Sequence, residues 1–263
     1  MKKYDSRVMV SFDGKCPMGC KHCYTYDLEK KECNRDINEL VQEIEEKIFD
    51  IIYISQSYEN FFDEIRGLRL CHMLYEKYQK DMFIITRSFL SNKVIDKLGK
   101  LNQVMKSEGH QLFIAVSVCA EQSYGFTEQK GVCPTPQQRL LNLERVHNVD
   151  IKTILLVRPV FPDSIIPVYE CKILIERSKS YINAVVSSGL IVTNKIIERL
   201  GLRDNGLLYQ SDGDSEYLAD LEPGKAKYVD VDNELNEIQD FCISNSIQFF
   251  KHSIPALNYL ATL

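Results

Sequence analysis

Val8-Met9-Val10-Ser11-Phe12-Asp13-Gly14-Lys15-Cys16-Pro17-Met18-Gly19-Cys20-Lys21-His22-Cys23-Tyr24 joins a strand to a loop crowded with thiols. The apolar run 8–12 reads as the strand, and Asp13-Gly14 closes it. Three cysteines, at 16, 20 and 23, then fall within eight residues. Pro17 and Gly19 keep the intervening backbone out of helix, so the sulfurs can face one point instead of being spread around a cylinder. Thiolates at this density suit a soft metal centre. A cubane iron–sulfur cluster normally takes four cysteines, so a loop that offers three leaves one iron with an open position for a small molecule.

Outward from this loop, helical and strand patterns alternate. Ile37, Leu40, Val41, Ile44 and Ile48 recur at helical spacing, with Asp36 or Asn34 as the cap. The β-branched run 51–55 has the pattern of a strand buried on both faces of a parallel sheet. Phe62, Ile65, Leu68, Cys71, Leu74, Tyr75 and Tyr78 mark a helix over 59–79, followed by a strand at 82–86. Val94, Ile95, Leu98, Leu101 and Val104 mark the next helix, and 112–118 the next strand. A polar loop over 120–136 breaks the rhythm and is long enough to be functional. Helix 137–147, strand 154–157, helix 165–180 and a strand from 184–186 continuing towards 190–192 complete about six strand–helix units.

Such alternation implies a parallel sheet with right-handed crossovers. Six units are too few for a closed eight-fold barrel. The expected fold is therefore α/β, a partial open (β/α)6 TIM-like barrel over 1–194, with the cysteine loop at the strand end where barrels carry their active sites. Residues 195–263 read as a short helix at 195–200, a hairpin from 207–211 and 217–219, a helix at 234–244 and a strand at 247–250. They hold too few apolar residues for a core of their own, so the expectation is a C-terminal extension capping the barrel mouth.

The pattern C-x3-C-x-aromatic-C resembles the signature of the radical S-adenosylmethionine (radical SAM) enzymes, with His22 where that family usually carries an aromatic residue. The resemblance implies the same partial barrel and a [4Fe-4S] cluster on Cys16, Cys20 and Cys23. It also implies S-adenosylmethionine held on the open iron through its amino and carboxylate groups, and cleavage to a 5′-deoxyadenosyl radical that abstracts hydrogen from a substrate. An electron donor such as flavodoxin or ferredoxin is implied with it. The Gly-Gly-Glu segment of many family members is absent. Instead, segments 53–59, 85–88 and 139–162 are similar to the spore photoproduct lyase branch.

On this resemblance Ser55, Gln56 and Glu59, at the end of the second strand, are expected around the amino group of the cofactor, and His22 and Tyr24 beside its adenine or the cluster. Thr86, Ser117 and Arg158 are polar residues in or just after apolar strands and need buried partners, which a cofactor would supply. Arg158, Arg139 and Arg87 are candidates for a carboxylate, because a guanidinium donates two parallel hydrogen bonds. Cys119 is the candidate hydrogen donor to a substrate radical, with Cys133 as a second. Strand alternation puts Ser117 on one face with Ala115 and Cys119. The competing reading is a non-catalytic, zinc-stabilised binding module using the three thiols and His22; it is less apt because zinc sites draw paired ligands from two places.

Hydrophobic residues make up 44% and charged residues 26% of the 263, ordinary values for a globular chain, and no apolar run is long enough to span a bilayer. Nine cysteines are an odd count, and no signal-peptide pattern precedes the first strand, so a reducing, cytoplasmic setting is expected. The formal net charge of -5 argues against affinity built on phosphate neutralisation. The expected substrate is a small molecule, nucleotide or peptide. Nucleic-acid repair is the alternative carried by the lyase-like segments.

Overall fold

The computed structural model describes residues 4–27, 36–44, 48–55, 57–202, 209–210 and 226–263. Seven parallel strands form one open sheet in the order β1 (Arg7–Val10), β2 (Ile51–Ile54), β3 (Asp81–Thr86), β4 (Leu112–Ser117), β5 (Lys152–Val160), β6 (Ala184–Gly189) and β10 (Phe249–Phe250). The sheet is α/β and consistent with the partial TIM-like barrel expected from the alternation. Helices α1 (Ile37–Gln42), α2 (Glu64–Tyr78), α3 (Asn92–Ser107), α5 (Pro136–His147) and α6 (Val168–Ser178) connect its strands, with the short α4 (Tyr124–Thr127) inside the 120–136 loop.

Local chemistry accounts for where these helices begin. Asp63 accepts from the N–H groups of Ile65 and Arg66 at the start of α2, and Ser91 accepts from Val94 at the start of α3. Thr135 and Gln138 form a reciprocal capping box ahead of Pro136, which opens α5. The helix expected over 59–79 is preceded by a separate 3-10 turn, Asn60–Phe62, because Asp63 adopts extended backbone to cap α2.

In-register pairing carries the side-chain alternation across the sheet. Tyr53 pairs with Phe83 and Phe83 with Phe113, and the three aromatics form one inward-facing layer. Ile51, Ile154, Leu156 and Val186 share that layer's core, and α9 (Ser253–Leu260) closes it with Ala256, Leu257 and Leu260. The opposite face of the strands packs against the helices in two further cores, one around α2 and α3 and the other around α5 and α6.

After Gly189 the chain departs from the expected straight continuation of β6. β7 (Ile191–Val192) leaves the barrel sheet and pairs antiparallel with β9 (Lys227–Val229), which also pairs with β8 (Tyr209–Gln210). A side chain at 189 would meet Val231 at 2.7 Å, so glycine permits the close approach at which the strand turns away. α7 (Asn194–Leu200) follows. The expected hairpin arm at 217–219 and its acidic tip lie outside the described residues, and 209–210 pairs with 227–229.

Of the other described parts of 195–263, Lys251 reaches the cavity rim, where its carbonyl accepts from Arg158 Nη2 at 3.3 Å, and the rest pack beside or beneath the sheet. α8 (Asp232–Ser244) buries Leu235, Ile238 and Cys242 in the core beside α6, and β10 extends the sheet next to β6. α9 sits at the strands' N-terminal end, where Lys152 Nζ donates to Leu260 O at 2.7 Å and Tyr4 N–H to Asn258 Oδ1 at 2.6 Å.

Candidate active site

Two to four residues beyond the aromatic layer, the same inward face turns polar. Stepping by two from Tyr53 gives Ser55, from Phe83 gives Ile85 and Arg87, from Phe113 gives Ala115 and Ser117, from Leu156 gives Arg158, and from Val186 gives Ser188. Ser55, Ile85, Arg87, Ser117, Arg158 and Ser188 all line one cavity of about 260 Å³ at the C-terminal ends of the strands. Cys16, Cys20, Cys23, His22 and Tyr24 line it from the loop after β1, and Glu59 and Thr86 complete the wall.

The cysteine loop is held from two sides. Lys21 N–H donates to Thr127 O at 2.9 Å, and Gly19, at φ +59, lies so close to Gln129 that a side chain there would meet its Oε1 at 2.7 Å. On the other side Arg199 of α7 spans two loop carbonyls, from Nε to Lys21 O at 3.0 Å and from Nη2 to Cys23 O at 2.9 Å. These contacts fix a segment that has no regular structure of its own before the 3-10 turn Tyr24–Asp27.

Met18, Cys20 and Cys133 are buried together, with Cys16 and Cys23 packed against them. Burial pushes the Cys16 thiol up to about 11, against the hydrogen bonds it accepts from the N–H groups of Met18 and Glu59. Cys20 is raised by its hydrogen bond to Cys133 and by burial. Cys23 Sγ lies 2.9 Å from Thr25 Oγ1. Among the described residues no group of three or more His, Cys, Asp or Glu converges as a single metal ion requires. The three motif thiols are soft donors that line one cavity.

Glu59 keeps its carboxylate inside the wall. Oε1 accepts from Thr86 Oγ1 at 2.9 Å and from Phe61 N–H at 3.2 Å, and Oε2 from Arg87 N–H at 2.6 Å. Burial raises its pKa, and those donors oppose the rise. Glu59 therefore binds β3 to the end of β2, and Thr86 is satisfied by it. Ser55, at φ 71, accepts the Asn60 N–H at 3.1 Å, which turns the chain sharply at the cavity edge. Gln56 lies outside the described residues.

Arg139 departs from the expectation of a carboxylate clamp in the cavity. It lies fully buried on α5 behind β4, donating to Ser117 O at 2.8 Å and to both carboxylate oxygens of Glu128. Glu128 occupies the fork that a ligand acid would need. Burial alone would raise Glu128, but the guanidinium groups of Arg87 and Arg139 outweigh it and hold the carboxyl below its usual range. Arg87 also donates to Arg158 O at 3.3 Å and stands 3.4 Å from His22 Nε2. Burial and the Arg87 charge lower His22 to about 3, so its ring is neutral, edge-on to Phe161 at 6.4 Å.

Cys119 is turned away from the cavity. β4 ends at Ser117, so strict alternation stops, and the Cys119 thiol lies 3.0 Å from Thr127 Oγ1 in the outer core with Val116 and Val118. The loop-bound Cys133 is also outside the cavity lining. Glu128, Arg199 and the contact of Cys133 with Cys20 had no local sequence pattern; the length of the 120–136 loop was the signal available for two of them.

No family model matches the sequence, and no curated protein matches it. Solved structures do. A Cys-to-Ser variant of spore photoproduct lyase aligns with 92% of this chain and 75% of its own at 13% identity, with a TM-score of 0.61. SuiB of Streptococcus suis bound to S-adenosylmethionine aligns with 94% of this chain and 50% of its own at 12% identity and a TM-score of 0.61. The native enzyme anSMEcpe with bound S-adenosylmethionine aligns with 92% and 62% at 12% identity and a TM-score of 0.57. The chain has the fold of the radical SAM enzymes. In this chain the strand ends and the loop after β1 face the same cavity. No helix is long and apolar enough to cross a membrane among the described residues.

Proposed function

We propose that this protein is a radical SAM enzyme in which Cys16, Cys20 and Cys23 hold a [4Fe-4S] cluster. The observation that carries the reading is that all three motif thiols open into the cavity lined by the polar ends of β2 to β6. The cluster, with S-adenosylmethionine bound, supplies a 5′-deoxyadenosyl radical. The chain's part is to orient the nucleoside and exclude water from the reacting atoms.

Ser117 and Arg158 are among the polar groups on the barrel side of the cavity and are suited to the amino and carboxylate ends of the cofactor, with Arg158 Nη2 also donating to Lys251 O at 3.3 Å. Glu59 and Thr86 act at one remove, by holding the ends of β2 and β3 in register. Neutral His22 and Tyr24 offer flat surfaces for the adenine. An electron donor of the flavodoxin or ferredoxin type completes the system. The substrate is a small molecule, nucleotide or peptide admitted past Leu190 and Ile191, which line the same cavity; the net charge of -5 disfavours a long nucleic acid.

Anaerobic reconstitution of the full chain with iron and sulfide tests this. The expected product is brown, carries about four irons per chain, and releases 5′-deoxyadenosine from S-adenosylmethionine under reductant. Replacing any of Cys16, Cys20 or Cys23 by Ala abolishes both. Colourless protein with stoichiometric zinc and no cleavage sinks the proposal and leaves the zinc-stabilised module.

A further inference from the structure

Cys133 is unused by the chemistry proposed above, although it touches the loop that would carry that chemistry. Its backbone is fixed on both sides: Cys133 N–H donates to Gln129 O at 3.0 Å, and the capping box at Thr135 starts α5 immediately after it. Its thiol is buried against Met18 and Cys20 and donates to Met18 O at 3.3 Å. Cys20 faces the cavity, whereas Cys133 stands behind it. The two other loop thiols are engaged elsewhere, Cys23 with Thr25 Oγ1 at 2.9 Å and Cys16 with backbone N–H groups of Met18 and Glu59.

We propose that Cys20 and Cys133 form a reversible disulfide in the iron-free chain, a modification that ties the cysteine loop to the α4–α5 loop until it is reduced. The two side chains already pack in one buried cluster, the juxtaposition that a disulfide between these two loops needs. Their unequal access sets the order of events. A small disulfide of the glutathione class enters by the cavity and exchanges with Cys20, giving a mixed disulfide and releasing one small thiol. The Cys133 sulfur then attacks the Cys20 sulfur and expels the second small thiol, on which its proton leaves. In sum two protein thiols are oxidised, one small disulfide is reduced to two thiols, and the protons leave on those thiols.

The bond is independent of the cluster; its consequence, blocked metal loading, rests on the proposed function. Both are tested on the full iron-free chain treated with glutathione disulfide, quenched in acid, digested and mapped by mass spectrometry. The expected result is a Cys20–Cys133 linked peptide pair that disappears on reduction, and loss of iron uptake that reduction restores. Cys133→Ser, a near-isosteric change, leaves Cys20 trapped as its glutathione adduct. Cys20 linked to any other cysteine, or both thiols recovered unlinked, overturns the inference. A linked pair in a chain that takes up no iron even when reduced supports this inference and defeats the cluster; iron loading without the linked pair defeats this inference alone.

Discussion

The two ends of the barrel interior are built from the same strands and the same inward face, yet they are opposites. At the floor, Tyr53, Phe83 and Phe113 meet Leu257 and Leu260 in a closed apolar layer. At the rim, Ser55, Arg87, Ser117, Arg158 and Ser188 stand around an open cavity with the cysteine loop above them. Fully burying one large apolar side chain is worth roughly 1.5–3 kcal/mol, so the floor supplies stability. A polar rim supplies little and must be held by its own hydrogen bonds. The Glu128–Arg87–Arg139 group, the Glu59 carboxylate and the bond from Arg158 Nη2 to Lys251 O do the holding.

The largest break in this contrast comes from Glu128→Ala, which strands the fully buried Arg139 and its neighbour Arg87 without a counter-charge. Chemical unfolding should show a loss of about 3–5 kcal/mol; a loss under about 1 kcal/mol would mean the rim is not organised by this group. The native carboxyl is depressed by the two guanidinium groups. Its contribution is therefore complete above the unfolded value of about 4.3 and drains away as pH falls through the lower folded value. Stability measured across that acid range should lose this component in Glu128→Gln, and an unchanged slope would contradict it.

A cut at the floor should separate stability from chemistry. Leu257→Ala is expected to cost about 3 kcal/mol by opening a cavity under the aromatic layer, with iron content and cofactor affinity of the folded fraction unchanged. If affinity fell in step with stability, floor and rim would be one cooperative unit instead of two. The smallest effect is expected at the rim itself. Ser117→Ala should leave unfolding within about 0.5 kcal/mol of the native protein and weaken S-adenosylmethionine binding several-fold, about 1 kcal/mol. Calorimetric titration showing unchanged affinity would remove Ser117 from the cofactor site.

The pattern of the chain carried further for the sheet than for the site. Runs such as 51–55 and 112–118 announce themselves because burial on both faces selects continuous β-branched and apolar residues over a short span. The helices between them follow from spacing and caps within a few residues of each other. β10 was readable as a strand at 247–250, but its place beside β6 was not, since two phenylalanines suit a sheet edge and a surface hairpin equally. The placement of Arg139 shows the same limit: an arginine in a helix pattern carries no sign that an acid in the preceding loop will occupy its fork. Cys119 was placed by alternation in a stretch where the strand had already ended.

What residue order alone determined is therefore local: three thiols on a loop leaving a strand, six strand–helix units, and polar residues at the ends of apolar runs. Periodicity and turn chemistry act over a few residues and need no partner to be read. The tertiary structure alone decided which of those polar ends share a cavity, which arginine is consumed by Glu128, and that Cys133 lies against Cys20. Each is a contact between segments far apart in the chain, and such contacts are set by the sheet's pairing register and by packing of loops, neither of which leaves a local mark.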